Sequence, residues 1–339
     1  MTRELLVSTS PHIRDEITTT RIMWAVAIAL APATGMGIWF FGVRVLAQVL
    51  VSVAAAILTE YVIQKWRKVP VTAMDGSAFV TGLLLVLVIS PAVPLPYVAL
   101  GAVFSIGIGK QVFGGLGRNI WNPALVGRAF MQVSFPSIMN AMWIAPRGVI
   151  DAVTGPTPLA AVKEAIRAGG TMDAVAAAAP HWADLAWGKE LGCAGETSAI
   201  ALLVGGLLLI GLKIIDWRVP FIYIGTAVLF CWLLPVSTPN GMVWFADQGW
   251  YPVFHLLSGG LFLGGFFMAT DLVTTPYTVK GRVIFAVGAG LLVAIIRVYG
   301  GYPEGVCYSI LIMNTAVPLI DKFTLPRPFG ARKPETRRG

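Results

Sequence analysis

Ten apolar runs, each close to the length of a membrane-crossing helix, limit this chain more than any other feature. They lie near residues 22–41, 43–63, 77–92, 95–109, 124–140, 197–215, 219–236, 252–270, 283–299 and 304–321. A helix that crosses a bilayer needs about 20 mainly apolar residues, and Gly and Pro mark the breaks between runs. The third and fourth runs are short and are separated by Pro91, Pro94 and Pro96. Only 12% of the residues are charged, against about 25% in a typical soluble domain. That balance excludes a water-soluble enzyme, a disordered scaffold and a nucleic-acid-binding domain. The fold class expected is an all-α integral membrane protein of about ten transmembrane helices. The first run begins only after Arg21 with no small-residue cleavage site, so no cleavable signal peptide is expected.

The net charge of +8 then acts as a test of topology. Cytoplasmic loops of membrane proteins are enriched in Lys and Arg. With the N-terminus placed inside, ten spans put 19 of the 25 basic residues on the cytoplasmic side and five outside, with Arg297 near an outer helix end. Both termini are therefore expected in the cytoplasm. The one long loop, residues 141–196, then falls outside the membrane, and loops of that length in compact proteins are usually functional.

That loop divides the chain. Residues 1–140 form a first five-helix half with a cytoplasmic N-terminal segment, and 197–322 form a second half. Residues 323–339 make a basic tail. Five spans on each side of one loop must run in opposite senses, the arrangement of an inverted repeat, in which a site commonly lies at the repeat interface. Ser77–Gly82 (SAFVTG) and Ser258–Gly264 (SGGLFLG) echo each other weakly. Recurrence of Gly/Ser-rich helix openings by chance explains the same echo.

Few residues offer metal or nucleophile chemistry. Cys193, Cys231 and Cys307 are scattered without a CxxC pair, and only His12, His181 and His255 are present. In the loop, Thr157 followed by Pro158 reads as an N-cap and first helical residue. Leu159, Val162 and Ile166 share one face, and Gly169-Gly170 gives a stop. A helix start favours negative charge, so a phosphate on Thr157 would be well placed; a plain N-cap accounts for the same residues. Between the fourth and fifth spans lies Gly109–Arg128, where glycines permit close backbone approach. There Arg118, Asn119 and Asn122 offer polar edges beside Phe113 and Trp121. The segment suits a flat heteroaromatic ring, and equally a cytoplasmic turn with Asn-Pro punctuation. Ionisable groups near span ends, Glu196 and Asp271 with Glu60, Asp75 and Glu304, are candidates for a functional role or simple interfacial caps.

Taken together, SPHIRDEITTTRIMWAVAIALAPA (Ser10–Ala33), KQVFGGLGRNIWNPALVG (Lys110–Gly127), the Asp151–Leu159 segment and HLLSGGLFLGGFFMATDLVTTP (His255–Pro276) resemble the RnfD family, the D components of Rnf complexes. GGYPEGV (Gly300–Val306) and NTAVPLID (Asn314–Asp321) extend the resemblance across nearly the whole chain. Rnf complexes are ion-translocating ferredoxin:NAD+ oxidoreductases, and the chain is also similar to the B component of the Na+-translocating NADH:quinone reductase.

The resemblance implies FMN joined through its phosphate to a threonine, which falls on Thr157, with Asp151 and Thr154 completing the attachment pattern. Pro156 departs from that pattern, which has Ala there. It also implies a second, non-covalent flavin, riboflavin, for which Arg118, Asn119 and Asn122 are the candidate contacts. The expected partners are the other Rnf subunits, including a second covalent-FMN subunit and an NAD-binding subunit, and the FMN transferase that matures them. The expected place is a prokaryotic inner (cytoplasmic) membrane, and the expected role is electron relay coupled to movement of Na+ or H+, with Asp75, Glu196 or Asp271 as ion ligands or gates. A secondary transporter of a small solute, without redox cofactors, is the alternative that ten spans alone would suggest.

Overall fold

The computed structural model describes residues 17–141, 143–146, 155–196, 198–239, 241–245 and 247–326. Helix α1 (Thr19–Phe41) opens where the Thr18 side chain accepts a hydrogen bond from the Arg21 backbone N–H. It ends at Gly42, whose φ of 74° lets α2 (Val43–Trp66) begin at once. Helices α3 (Ser77–Leu87) and α4 (Leu95–Ile106) follow, and α4 runs on into a π-helical turn, Gly107–Gln111. Asn122 caps α5 (Pro123–Ser134), and the chain breaks at Phe135 before α6 (Pro136–Ala141), as the restricted backbone of a residue preceding proline favours.

Three short helices fill the loop: α7 (Pro158–Arg167), α8 (Met172–Ala178) and α9 (Trp182–Trp187). The second half holds α10 (Ala199–Gly211) and α11 (Arg218–Leu233). A hairpin follows, with β1 (Val236–Thr238) antiparallel to β2 (Gly241–Val243) and Val236 opposite Val243. Then come α12 (Trp250–Leu257), α13 (Leu261–Leu263) with the π turn Gly264–Met268, α14 (Val279–Tyr299) and α15 (Val306–Thr324).

Each of the ten apolar runs holds helix, but individual lengths differ from the reading. Among the described residues, α1, α2, α14 and α15 are long and apolar enough to cross a membrane singly. Helices α12 and α13, with the π turn, make a fifth candidate bent by 60°. The bend follows from Ser258-Gly259-Gly260, where both glycines take positive φ, 71° and 65°, a region that Gly enters without steric cost. Helices α3, α10 and α11 are shorter apolar helices.

The third run stops early for a reason that lies far away in sequence. The last carbonyls of a helix have no partner within it, and here the end of the long loop supplies partners. Gly195 N–H donates to Leu87 O at 2.8 Å and Ala194 N–H to Ile89 O at 3.2 Å. The Cys193 thiol donates to Val88 O at 3.2 Å. Gly195 is required there, because a Cβ would sit 2.6 Å from Leu87 Cβ.

In the first half α2 packs on α3 and α4, and α4 packs on α5; in the second, α11 packs on α12 and α14, and α14 on α15. Helices α1 and α10 pack on each other and join the halves. Leu30, Leu85, Ile106, Leu125, Phe266 and Phe285 are fully buried between them. Leu50, Leu58, Val62, Val204 and Leu229 stay exposed on the helix flanks, as lipid-facing positions of a bundle would. The loop has a small core of its own, in which Leu159, Val162, Ile166, Val175 and Leu185 meet Val236, Phe245, Tyr251 and Phe254. The single apolar face read from the α7 sequence is thus the face that packs.

Candidate functional site

Among the described residues, two polar regions hold most of the candidates read from the sequence. The first is a cavity that includes Ser77, Thr81, Lys110, Asn119, Asn122 and Asp271 among its lining. The structure therefore brings together three candidates from two motifs: Asn119 and Asn122 from one, and Asp271 from the other. Each is committed differently. Asn122 Oδ1 caps α5, accepting from the N–H groups of Ala124 at 3.1 Å and Leu125 at 3.5 Å. Asp271 accepts from the Val273 N–H at 3.3 Å and the Thr274 hydroxyl at 3.1 Å. Asn119 Nδ2 donates to Trp121 O at 3.1 Å, but its Oδ1 is buried without a partner. A buried acceptor of this kind costs free energy unless a donor reaches it, and the edge N–H of a flat heteroaromatic ring is such a donor. Asn119 Oδ1 thus offers such a ring edge a buried acceptor. Arg118 is exposed and is not brought to the cavity.

Beside the cavity lies a network that sequence reading misses. Lys110 Nζ donates to Glu60 at 2.8 Å and to Ser77 Oγ at 2.6 Å, and all three side chains are buried. Gln64 and Gln111 each donate to Glu60 Oε1 at 3.0 Å. Ser77 Oγ in turn donates to Asp75, so Asp75 enters the site through Ser77. The available signal is Glu60 itself, a carboxylate within an apolar helix with Gln64 one turn on, which demands a cationic partner. The charge count treats Lys110 as a loop residue.

The second region lies where the long loop enters the bundle. Arg128 pairs with Glu304, which precedes α15, and both border a cavity with Gln132, Asn140, Trp143 and Tyr302. Glu196 and Glu190 are buried close by. Burial first, and then Glu196 and Glu304, pushes the Glu190 carboxyl well above the usual carboxylate range. Glu196 is buried just before the start of α10. Like Lys110, Arg128 is an internal ion-pair member. Removing both from the inside count leaves the charge imbalance intact.

Thr157 stands at the head of α7 as its N-cap, with Oγ1 accepting from the Ala160 N–H at 3.4 Å, and it is buried. Lys163, on the same helix, donates to the carbonyls of Arg297, Gly300 and Tyr302 at 3.0, 2.6 and 3.1 Å. Burial, and next Arg167, lower its ammonium to about 8. Asp151 and Thr154 lie outside the described residues.

Residues 6–330 match the NQR2, RnfD, RnfE family. The chain belongs to this family. Its similarity to two relatives extends over almost the full length of each. It is 45% identical over 332 residues to the D component of the proton-translocating ferredoxin:NAD(+) oxidoreductase complex of Clostridium ljungdahlii, covering 96% of both chains. It is 46% identical over 331 residues to the Na(+)-translocating counterpart of Acetobacterium woodii, covering 97% of this chain and 96% of the relative. The D component of the ion-translocating oxidoreductase complex of Escherichia coli is 35% identical over 370 residues, covering 96% of this chain and 99% of the relative. Membership of the NQR2, RnfD, RnfE family, with several helices apolar enough to cross a bilayer, makes this a multi-pass membrane protein.

Proposed function

We propose that the chain is the D-type membrane component of an ion-translocating ferredoxin:NAD+ oxidoreductase, and that it carries FMN on Thr157 and riboflavin in the Asn119 cavity. The observation that carries the reading is similarity at 45–46% identity over almost the whole length of two such proteins. The two flavins, when bound, would supply the electron relay between ferredoxin-side and NAD-side partners, since redox chemistry of this kind belongs to cofactors.

The protein's own part is to hold and insulate. Thr157 provides the hydroxyl for the phosphate ester at a helix start that favours negative charge. Because Thr157 is buried, the transferase must act before the loop packs, or on a loop that opens. Asn119 Oδ1 would orient the ring edge of riboflavin, and Lys110, held by Glu60, would set a positive charge at the cavity wall. Asp75, Glu196 and Asp271 are the residues proposed for the ion path. Ten spans in two inverted halves, with both termini in the cytoplasm of a prokaryote, complete the reading. The repeated packing of α2 on α4 and of α11 on α14 supports the inverted halves, as do the positive-φ glycines Gly76 and Gly260 that open α3 and α13.

That same repetition is also what a solute transporter would display. Mass spectrometry of the peptide from Asp151 to Lys163 separates the two readings. A flavin-phosphate adduct on Thr157 is expected, and an unmodified peptide from protein made with a matched transferase would favour the transporter.

A further inference from the structure

The loop segment Cys193–Glu196 presents a thiol and a carboxylate to a third group. Donor atoms of Cys193, Glu196 and Glu304 all lie within 4.8 Å of one another. The Glu196 N–H donates to Cys193 O at 3.0 Å, a tight turn that holds the two residues together. Glu304 comes from the turn before α15. Its Oε2 is taken by Arg128, and Oε1 is left for a further contact.

Two carboxylate oxygens here have no partner. Glu196 Oε1 and Glu190 Oε2 are buried without a hydrogen bond, on residues only 7% and 8% exposed. Room for Glu196 depends on Gly260, where a Cβ would come 2.5 Å from Oε1. Unpartnered buried acceptors call for a cation or a proton.

Charge permits either. With Cys193 as a thiol, ionised Glu196 and Glu304 set against Arg128 leave one net negative charge beside the cavity, which a proton or a cation offsets. A divalent ion bound to the Cys193 thiolate brings Cys193, Glu196, Glu304 and Arg128 together to zero. Donor chemistry narrows the choice, because a thiolate disfavours Mg2+ and Ca2+, whereas mixed sulfur and carboxylate ligands suit zinc-like ions.

We propose that Cys193, Glu196 and Glu304 form a binding site for one divalent transition-metal ion of the zinc type where the long loop enters the bundle. Binding releases the thiol proton to the adjoining cavity and moves no electrons. The ion would clamp the loop to the start of α15 and, through Arg128, to α5. The site does not depend on the flavin reading.

The test uses the full-length, tag-free chain in detergent, stripped with a chelator and loaded with Zn2+ alone. Bound zinc is counted, and its ligands are read by X-ray absorption. One zinc per chain is expected, with one sulfur at about 2.3 Å and oxygens at about 2.0–2.2 Å. Cys193→Ser, nearly isosteric, should remove the sulfur shell, and Glu196→Gln should weaken binding at least tenfold. Cys231→Ser, a buried cysteine of α11, should change neither. A sulfur-free wild-type spectrum, or a sulfur shell that survives Cys193→Ser, overturns the proposal. So does absence of bound zinc, which would mean that protons hold these carboxylates; normal flavin content in that protein would leave the proposed function standing.

Discussion

Lys110 Nζ lies 2.8 Å from the carboxylate of Glu60, fifty residues away in sequence, with both side chains almost fully withdrawn from solvent. Breaking such a pair from one side leaves an uncompensated buried charge, which costs about 3–5 kcal/mol, whereas replacing both partners with apolar groups is often neutral. Glu60→Gln and Lys110→Met should each lower the thermal midpoint of the detergent-purified protein markedly. The double variant should recover most of the loss. Additive losses in the double variant would show that the two groups are stabilised independently.

Asn119 and Asn122 should separate by phenotype. Asn119→Leu removes the unpartnered acceptor in the cavity and should lower extractable riboflavin several-fold without altering covalent FMN. Asn122→Leu removes a helix cap worth about 1 kcal/mol, so its effect should appear first as reduced stability. Arg118→Gln should leave riboflavin unchanged. Flavin extraction and quantitation on the three variants decides the matter, and wild-type riboflavin in Asn119→Leu would remove that residue from the site.

Thr157→Ala should abolish in-gel flavin fluorescence of this protein and stop ferredoxin-driven NAD+ reduction, while the chain still inserts. Loss of the cap hydroxyl should cost only about 1 kcal/mol. Thr154→Ala should be milder, and Pro156→Ala should leave flavin attachment intact or raise it. Covalent flavin persisting in Thr157→Ala, or mapping to Thr154, would show the assignment to be wrong.

Arg297 holds the bend between α12 and α13, donating to His255 O, Ser258 O and Gly259 O at 2.7, 2.9 and 2.8 Å. Arg297→Met strands three carbonyls, at about 1–3 kcal/mol for each that water cannot reach. Arg297→Lys should restore only part, since an ammonium lacks the planar fork of donors. Unfolding midpoints should rank wild type, then Lys, then Met; a Lys variant equal to wild type would mean that charge alone suffices.

Topology can be checked by cysteine labelling in a cysteine-free background. Gly170→Cys should react with an impermeant reagent in intact cells, and Lys68→Cys only after permeabilisation, as the charge distribution predicts. The reverse pattern would invert the map.

Local signals are legible in the sequence. Thr157, Pro158 and the spacing of Leu159, Val162 and Ile166 fix α7, because cap and periodicity lie within one dozen residues. Pro91, Pro94 and Pro96 mark the break after the third run. What cannot be read depends on distant partners. Leu87 ends α3 where Gly195 supplies its missing donor, and Lys110 is internal because Glu60 waits for it. A hydropathy scan also passes through Gly259 and Gly260, since apolar content carries no record of positive φ. Glu304 and Arg128 meet across 176 residues, beyond the reach of any local pattern.

The early end of α3 has an electrical consequence. Its eleven residues extend about 16 Å at 1.5 Å per residue. At one end Ser77 touches Lys110, and at the other Leu87 receives Gly195. A hydrocarbon core is about 30 Å thick. Where water reaches both ends of this helix, the full membrane voltage drops over roughly half that distance. The local field is then about twice that in the surrounding lipid, so a charge moved along α3 would couple to the voltage more steeply per ångström than one moved along α1.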